Sequence, residues 1–152
     1  FGKVNPSGKT PVTFYHSVED LPAFEDYHME GRTYRYLNRE PLFPFGFGLS
    51  YTTFEKEVVG VSGKPEDGNL EVTVRVKNTG GRDGEEVVQV YALYGKEKYR
   101  IPNRKLCAFG RVSLKAGEET EVTMPVRSSA VRLTDEQGNW YLPQSALRFE
   151  LR

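Results

Sequence analysis

Leu70-Glu71-Val72-Thr73-Val74-Arg75-Val76-Lys77 is the stretch whose reading decides the fold. Apolar and polar residues alternate without a break. A period of two sends one row of side chains toward a core and the other toward water, as in a half-buried β-strand. The cluster Asn78-Thr79-Gly80-Gly81-Arg82-Asp83-Gly84 then reads as a turn, where Gly supplies positive φ and Asn and Asp tolerate it. From Glu86 to Tyr94 the chain is nearly continuous in apolar residues, with Val87, Val88, Val90, Tyr91, Ala92 and Leu93. That continuity predicts the best-buried strand of the fold.

The same pattern extends outward. Phe54 to Val61 predicts a strand before this pair, and Lys105 to Leu114 one after it. Val122, Met124 and Val126 alternate again, and Pro125 points to an edge position or a strand end. Val131 and Leu133 predict a short strand. Asp135 to Asn139 turns into Trp140-Tyr141-Leu142, with Trp140 expected in or near the core. Leu147, Phe149 and Leu151 form the last strand. About seven strands with regular turn signals predict an all-β fold, a fibronectin-III/immunoglobulin-like β-sandwich. With no pair of cysteines, packing alone must join the two sheets.

Residues 1–50 differ. They hold five of the nine prolines and show no sustained alternation. Only Pro11 to Tyr15 suggests a short strand. Such a segment cannot bury a core of its own and must drape over the sandwich or over a partner. It ends in Pro41-Leu42-Phe43-Pro44-Phe45-Gly46-Phe47-Gly48-Leu49-Ser50-Tyr51-Thr52-Thr53-Phe54, where Pro and Gly forbid an ordinary helix or central strand. The division is therefore an irregular linker over 1–50 and a sandwich over 51–152. Phe43, Phe45 and Phe47 should fold back on the sandwich or leave an apolar patch exposed.

Composition narrows the function classes. Lys+Arg and Asp+Glu number 21 each, so the net charge is zero. No basic excess points to a nucleic-acid partner, and no apolar run approaches membrane-spanning length. The start, Phe1-Gly2-Lys3-Val4, lacks both Met and the apolar core of a signal peptide, so the chain reads as cut from a longer one. Its localisation is not legible. The single cysteine, Cys107, excludes an internal disulfide and reads as a small buried hydrophobe. His16 and His28 lack partners at metal-ligand spacing. Gly46-Phe47-Gly48 precedes a strand, not a helix, so it is no phosphate loop. No cofactor or metal is expected.

Five motifs carry a resemblance over essentially the whole chain. Asn5-Pro6-Ser7-Gly8-Lys9-Thr10-Pro11-Val12-Thr13-Phe14 resembles the close of the α/β domain in glycoside hydrolase family 3. Gly31-Arg32-Thr33-Tyr34-Arg35-Tyr36 resembles the linker that follows it. Pro44 to Phe54 resembles the entry to that family's fibronectin-III-like domain. Val76-Lys77-Asn78-Thr79-Gly80 with Gly84 to Tyr91 is similar to a hairpin of that domain, and Gly110 to Glu118 to a later turn. Leu142-Pro143-Gln144-Ser145-Ala146 departs from the family's usual approach to the last strand. The "GRTYRY" form resembles the β-xylosidase and arabinosidase branch more than the β-glucosidase branch.

The resemblance implies a parent enzyme that removes terminal β-linked xylose or glucose with retention, using two carboxyl groups. It also implies that both of them lie upstream of Phe1, so no catalytic or substrate-binding residue is assigned here. Glu19, Asp20, Glu25, Asp26 and Glu30 read as solvated loop charges. Arg32, Tyr34, Arg35 and Tyr36 have two readings. They either contact sugar at the rim of a site or contact a neighbouring domain. The second is preferred, because a linker crossing two surfaces must satisfy its buried polar atoms. Phe43, Phe45 and Phe47 read likewise as interdomain wedges. The expected partners are the upstream catalytic domains and, through them, a β-linked saccharide. The alternative is a carbohydrate-binding or protein-interaction module that uses exposed aromatics such as Tyr91, Tyr94, Tyr99 or Trp140.

Overall fold

The computed structural model describes residues 2–152. The alternating run forms β2 (Glu71–Asn78), between β1 (Phe54–Ser62) and β5 (Glu119–Pro125) in one antiparallel sheet. The apolar run forms β3 (Gly84–Leu93), between β4 (Lys105–Leu114) and β8 (Arg148–Leu151) in the second. The hairpin β6 (Leu133–Thr134) and β7 (Trp140–Tyr141) completes the sandwich. Among the described residues eight strands form where about seven were expected. β5 lies at the edge of its sheet and ends at Pro125, so the missing N–H costs no ladder bond.

The core lies between the inward rows of the two sheets. Val72, Val74 and Val76 of β2 meet Val88, Val90 and Ala92 of β3, and all are completely buried. Each valine removed from water contributes about 1.5–3 kcal/mol. A bulge in β4 opposite Val90 and Tyr91 leaves Cys107 as the extra residue. Its thiol donates to the Val90 carbonyl at 3.3 Å. Burial pushes that thiol up to about 11.

Asn78 continues the inward row of β2 and closes one end of the sandwich. Its Nδ2 donates to the carbonyls of Arg82 (2.7 Å) and Leu114 (3.2 Å). Its Oδ1 accepts from the Thr52 hydroxyl (2.7 Å) and the Gly80 N–H (3.1 Å). One buried amide thus satisfies four groups from the β2–β3 turn, β4 and the entering chain.

Three expectations are corrected. Val131 is buried but sits in a helical turn, α2 (Ser128–Val131), not in a strand. The Ser128 hydroxyl donates to the Pro65 carbonyl there and holds the turn against the β1–β2 connection. Trp140 is 67% exposed, because in a two-residue strand only Tyr141 takes the inward position against the core. Tyr91 and Tyr94 are buried and offer no open ring to a ligand.

Replacing Asn78 with alanine should lower stability by about 2–4 kcal/mol, read from urea unfolding, because four partners lose a buried bond. Cys107 should resist thiol reagents at pH 8 in the native protein and react fully in urea, since the thiol stays protonated and covered.

Candidate functional site

The irregular segment forms a third layer on the outer face of the β3–β4–β8 sheet. Two of its passes bind each other: Thr10 N–H donates to Phe47 O and Gly46 N–H to Thr10 O, both at 2.8 Å. Further along, Phe14 and Phe43 exchange backbone bonds in an isolated bridge, which is all that forms of the short strand expected over Pro11 to Tyr15. Gly46 sits at the point of closest approach. Its φ is +83°, and a Cβ there would overlap the Gln89 carboxamide beneath it.

Aromatic rings fasten this layer down. Phe45 stacks on Tyr34 with centroids 4.4 Å apart, and both meet Tyr91 of β3 edge-on, at 6.5 and 5.8 Å. Such pairs add about 0.5–1.5 kcal/mol each beyond the area they bury. Tyr91 is 1% exposed, and burial pushes its phenol up to about 12. Tyr34 lies on the short helix α1 (Thr33–Tyr36), whose Thr33 adopts φ +55°. A β-branched residue there is strained. The strained turn is bolted to the sandwich at two points. Leu106 N–H donates to the Tyr34 hydroxyl at 3.2 Å, and Asn103 N–H to the Arg35 carbonyl at 2.6 Å.

An ionic clamp binds all three layers. Glu86 lies on the inward row of β3 and is 3% exposed. Lys56 of β1 reaches it from the opposite sheet, and Lys9 from the linker bonds both carboxylate oxygens at 3.0 and 3.1 Å. Two cations thus neutralise and hydrogen-bond one buried carboxylate.

The residues proposed from sequence divide between the two faces of this layer. Tyr34 and Phe45 face the sandwich. Phe47 is half-buried, and Phe43 packs on it at 4.8 Å and on Phe14 at 6.1 Å while staying exposed. The Arg32 guanidinium donates to the Asp26 carbonyl and Arg39 to the Asp20 carbonyl, closing the base of the 20–32 loop. Tyr36 lies beneath Arg100, whose guanidinium pairs with Glu30 at 2.9 Å. That bond holds the exposed Glu30 carboxyl below its usual range. Lys9, Lys56 and Glu86 were missed as a group. The available signal was their parity, since Lys56 and Glu86 are charged residues on inward rows.

A cavity of about 100 Å³ remains between linker and sheet, lined by Tyr34, Phe45, Tyr91, Arg39, Arg104 and Arg152 among others. No carboxylate lines it, so it lacks the paired carboxyl groups of glycoside hydrolysis.

Comparison with known proteins places this geometry. Residues 1–51 match the glycosyl hydrolase family 3 C-terminal domain, and residues 86–151 the fibronectin type III-like domain. The chain belongs to glycoside hydrolase family 3. It is 39% identical over 139 residues to a xylan 1,4-β-xylosidase of Xylanibacter ruminicola, covering 91% of this chain and 16% of that one. It is 36% identical over 151 residues to a periplasmic β-glucosidase of Salmonella typhimurium, covering 90% and 20%. A β-glucosidase from Kluyveromyces marxianus superposes with a TM-score of 0.86 at 32% identity, covering 99% of this chain and 20% of that one. The chain spans about a fifth of the length of these family 3 relatives, and corresponds to their C-terminal region.

Replacing Glu86 with alanine should cost about 3–5 kcal/mol, because two lysines lose their buried partner. Limited proteolysis should then cut first within residues 5–14, the part of the linker that Lys9 anchors.

Proposed function

We propose that this segment braces the catalytic body of a family 3 glycosidase and performs no chemistry itself. Residues 1–50 would be the end of the upstream α/β domain with its linker, and residues 51–152 the fibronectin-III-like domain. The whole enzyme would remove terminal β-linked xylose or glucose with retention, through two carboxyl groups on its upstream domains. The relatives named above are β-xylosidases and β-glucosidases, which supports that substrate class.

The distribution of exposed apolar side chains carries the bracing role. Among the described residues, twelve of the fifteen large exposed hydrophobics precede Thr52. Phe24 is 89% and Tyr27 85% exposed, near Val18, Leu21 and Met29. Phe14, Phe43 and Leu42 lie exposed on the linker as well. One side of the linker is glued to the sandwich through Tyr34, Phe45 and Lys9, while these side chains are left unburied. An apolar surface of that extent marks a contact with another body. Arg32, Arg35, Tyr36, Phe43 and Phe47 would stand at or beside that contact.

The chain alone should show no turnover of aryl β-xyloside or aryl β-glucoside, and clear turnover by pure protein would sink the proposal. In the longer enzyme, replacing Phe24 and Tyr27 together with serine should lower the thermal midpoint of the catalytic domains. An unchanged midpoint would count against the contact.

A further inference from the structure

Three cations converge where β4 begins, and among the described residues none has an acidic partner. Lys105 opens β4 opposite Ala92, on the inward row, and is half-buried. Its Nζ donates to the Arg132 carbonyl at 2.9 Å. The two bolts that fix α1 to residues 103–106 hold the Arg35 backbone there, its guanidinium lies 5.9 Å from the Tyr34 ring centroid, and its charge is felt at Lys105. The Arg132 guanidinium lies over the Trp140 ring, 3.9 Å from its centroid. Elsewhere Arg75, Arg100, Arg104 and Arg111 each hold a carboxylate. Among the described residues, no carboxylate lies within ion-pair distance of Arg35, Lys105 or Arg132.

Two further features lie beside these cations. The Tyr94 hydroxyl is buried without a hydrogen-bond partner, and Arg35 is near enough to act on it electrostatically. Buried hydroxyls are normally satisfied, and the chain supplies this one with no partner. Trp140 carries Arg132 on its ring and leaves most of the indole open to solvent. Burial, and then the charges of Arg35 and Arg132, hold the Lys105 amine below the usual lysine range. A bound anion would reverse that repulsion.

We propose that this cluster binds a saccharide carrying a carboxylate, a uronic acid, with the carboxylate among Lys105, Arg35 and Arg132 and the sugar on the open indole of Trp140. The choice of a saccharide rests on the glycosidase reading above and on the exposed indole, since sugar rings present apolar C–H faces that stack on aromatics. Guanidinium and ammonium donors supply the charge-assisted bonds to the carboxylate. No bond is made or broken. The site would hold an acidic, branched substrate near the enzyme.

Calorimetric titration tests this, using the full chain with xylotriose bearing one glucuronic acid branch and with plain xylotriose. The acidic sugar should bind about tenfold more tightly at low salt, and salt should erase the difference. Lys105→Gln and Trp140→Ala should each weaken the acidic sugar about fivefold or more, and Lys105→Arg should retain it. Arg35→Gln, at an exposed position, repeats the charge test without touching the core. Equal affinity for the two sugars, no binding of either, or no effect of Arg35→Gln and Lys105→Gln would overturn the proposal. So would a Lys105 amine shielded from acetic anhydride in the sugar-free longer enzyme, because a protein carboxylate would then occupy the cluster. The sugar titrations leave the activity assay and the contact tested at Phe24 and Tyr27 untouched.

Discussion

Glu86 holds two lysine charges in a nearly dry position, Lys56 from the opposite sheet and Lys9 from the linker. Burying a carboxylate is unfavourable unless its partners are close and well aimed. Here the carboxylate and its two partners come from three separate parts of the chain. The carboxylate can be satisfied only when the first sheet, the second sheet and residues 1–50 are all in place. The linker is thereby part of the fold and not a tether beside it.

The outer face of β3 imposes the same condition through packing. Val87, Gln89, Tyr91 and Leu93 alternate with the core row, and a bare sheet would show them to water. The linker covers Tyr91 with Tyr34 and Phe45, and Gln89 with the close approach of Gly46. That is why Val87 to Leu93 holds a single polar residue, Gln89, a pattern expected of a strand covered on both faces. Covering one side of the linker leaves the question of the other. Phe14, Phe24, Tyr27 and Phe43 stay exposed there.

Placement of charge follows a related division. On the outer face of the first sheet, Arg75 lies among Glu57, Glu119 and Glu121. These pairs are solvated and contribute little to stability. At the mouth of β4 the cations have no such company. The contrast within one neutral chain separates a self-sufficient surface from one suited to an anion.

The sequence by itself determined the sandwich, the order of its main strands and the inward row of β2, because a period of two fixes which side chains share a face. It also determined family membership, through motifs in register along the whole chain. It misplaced Val131 and Trp140, where elements are two to four residues long and carry too few positions to set a period. Only the tertiary structure decided which linker aromatics turn inward, since Pro and Gly remove the periodicity that would reveal a face. Only it brought together Lys9, Lys56 and Glu86, and Arg35, Lys105 and Arg132. Those groups form between segments far apart in the chain, and long-range contact leaves no local pattern to read.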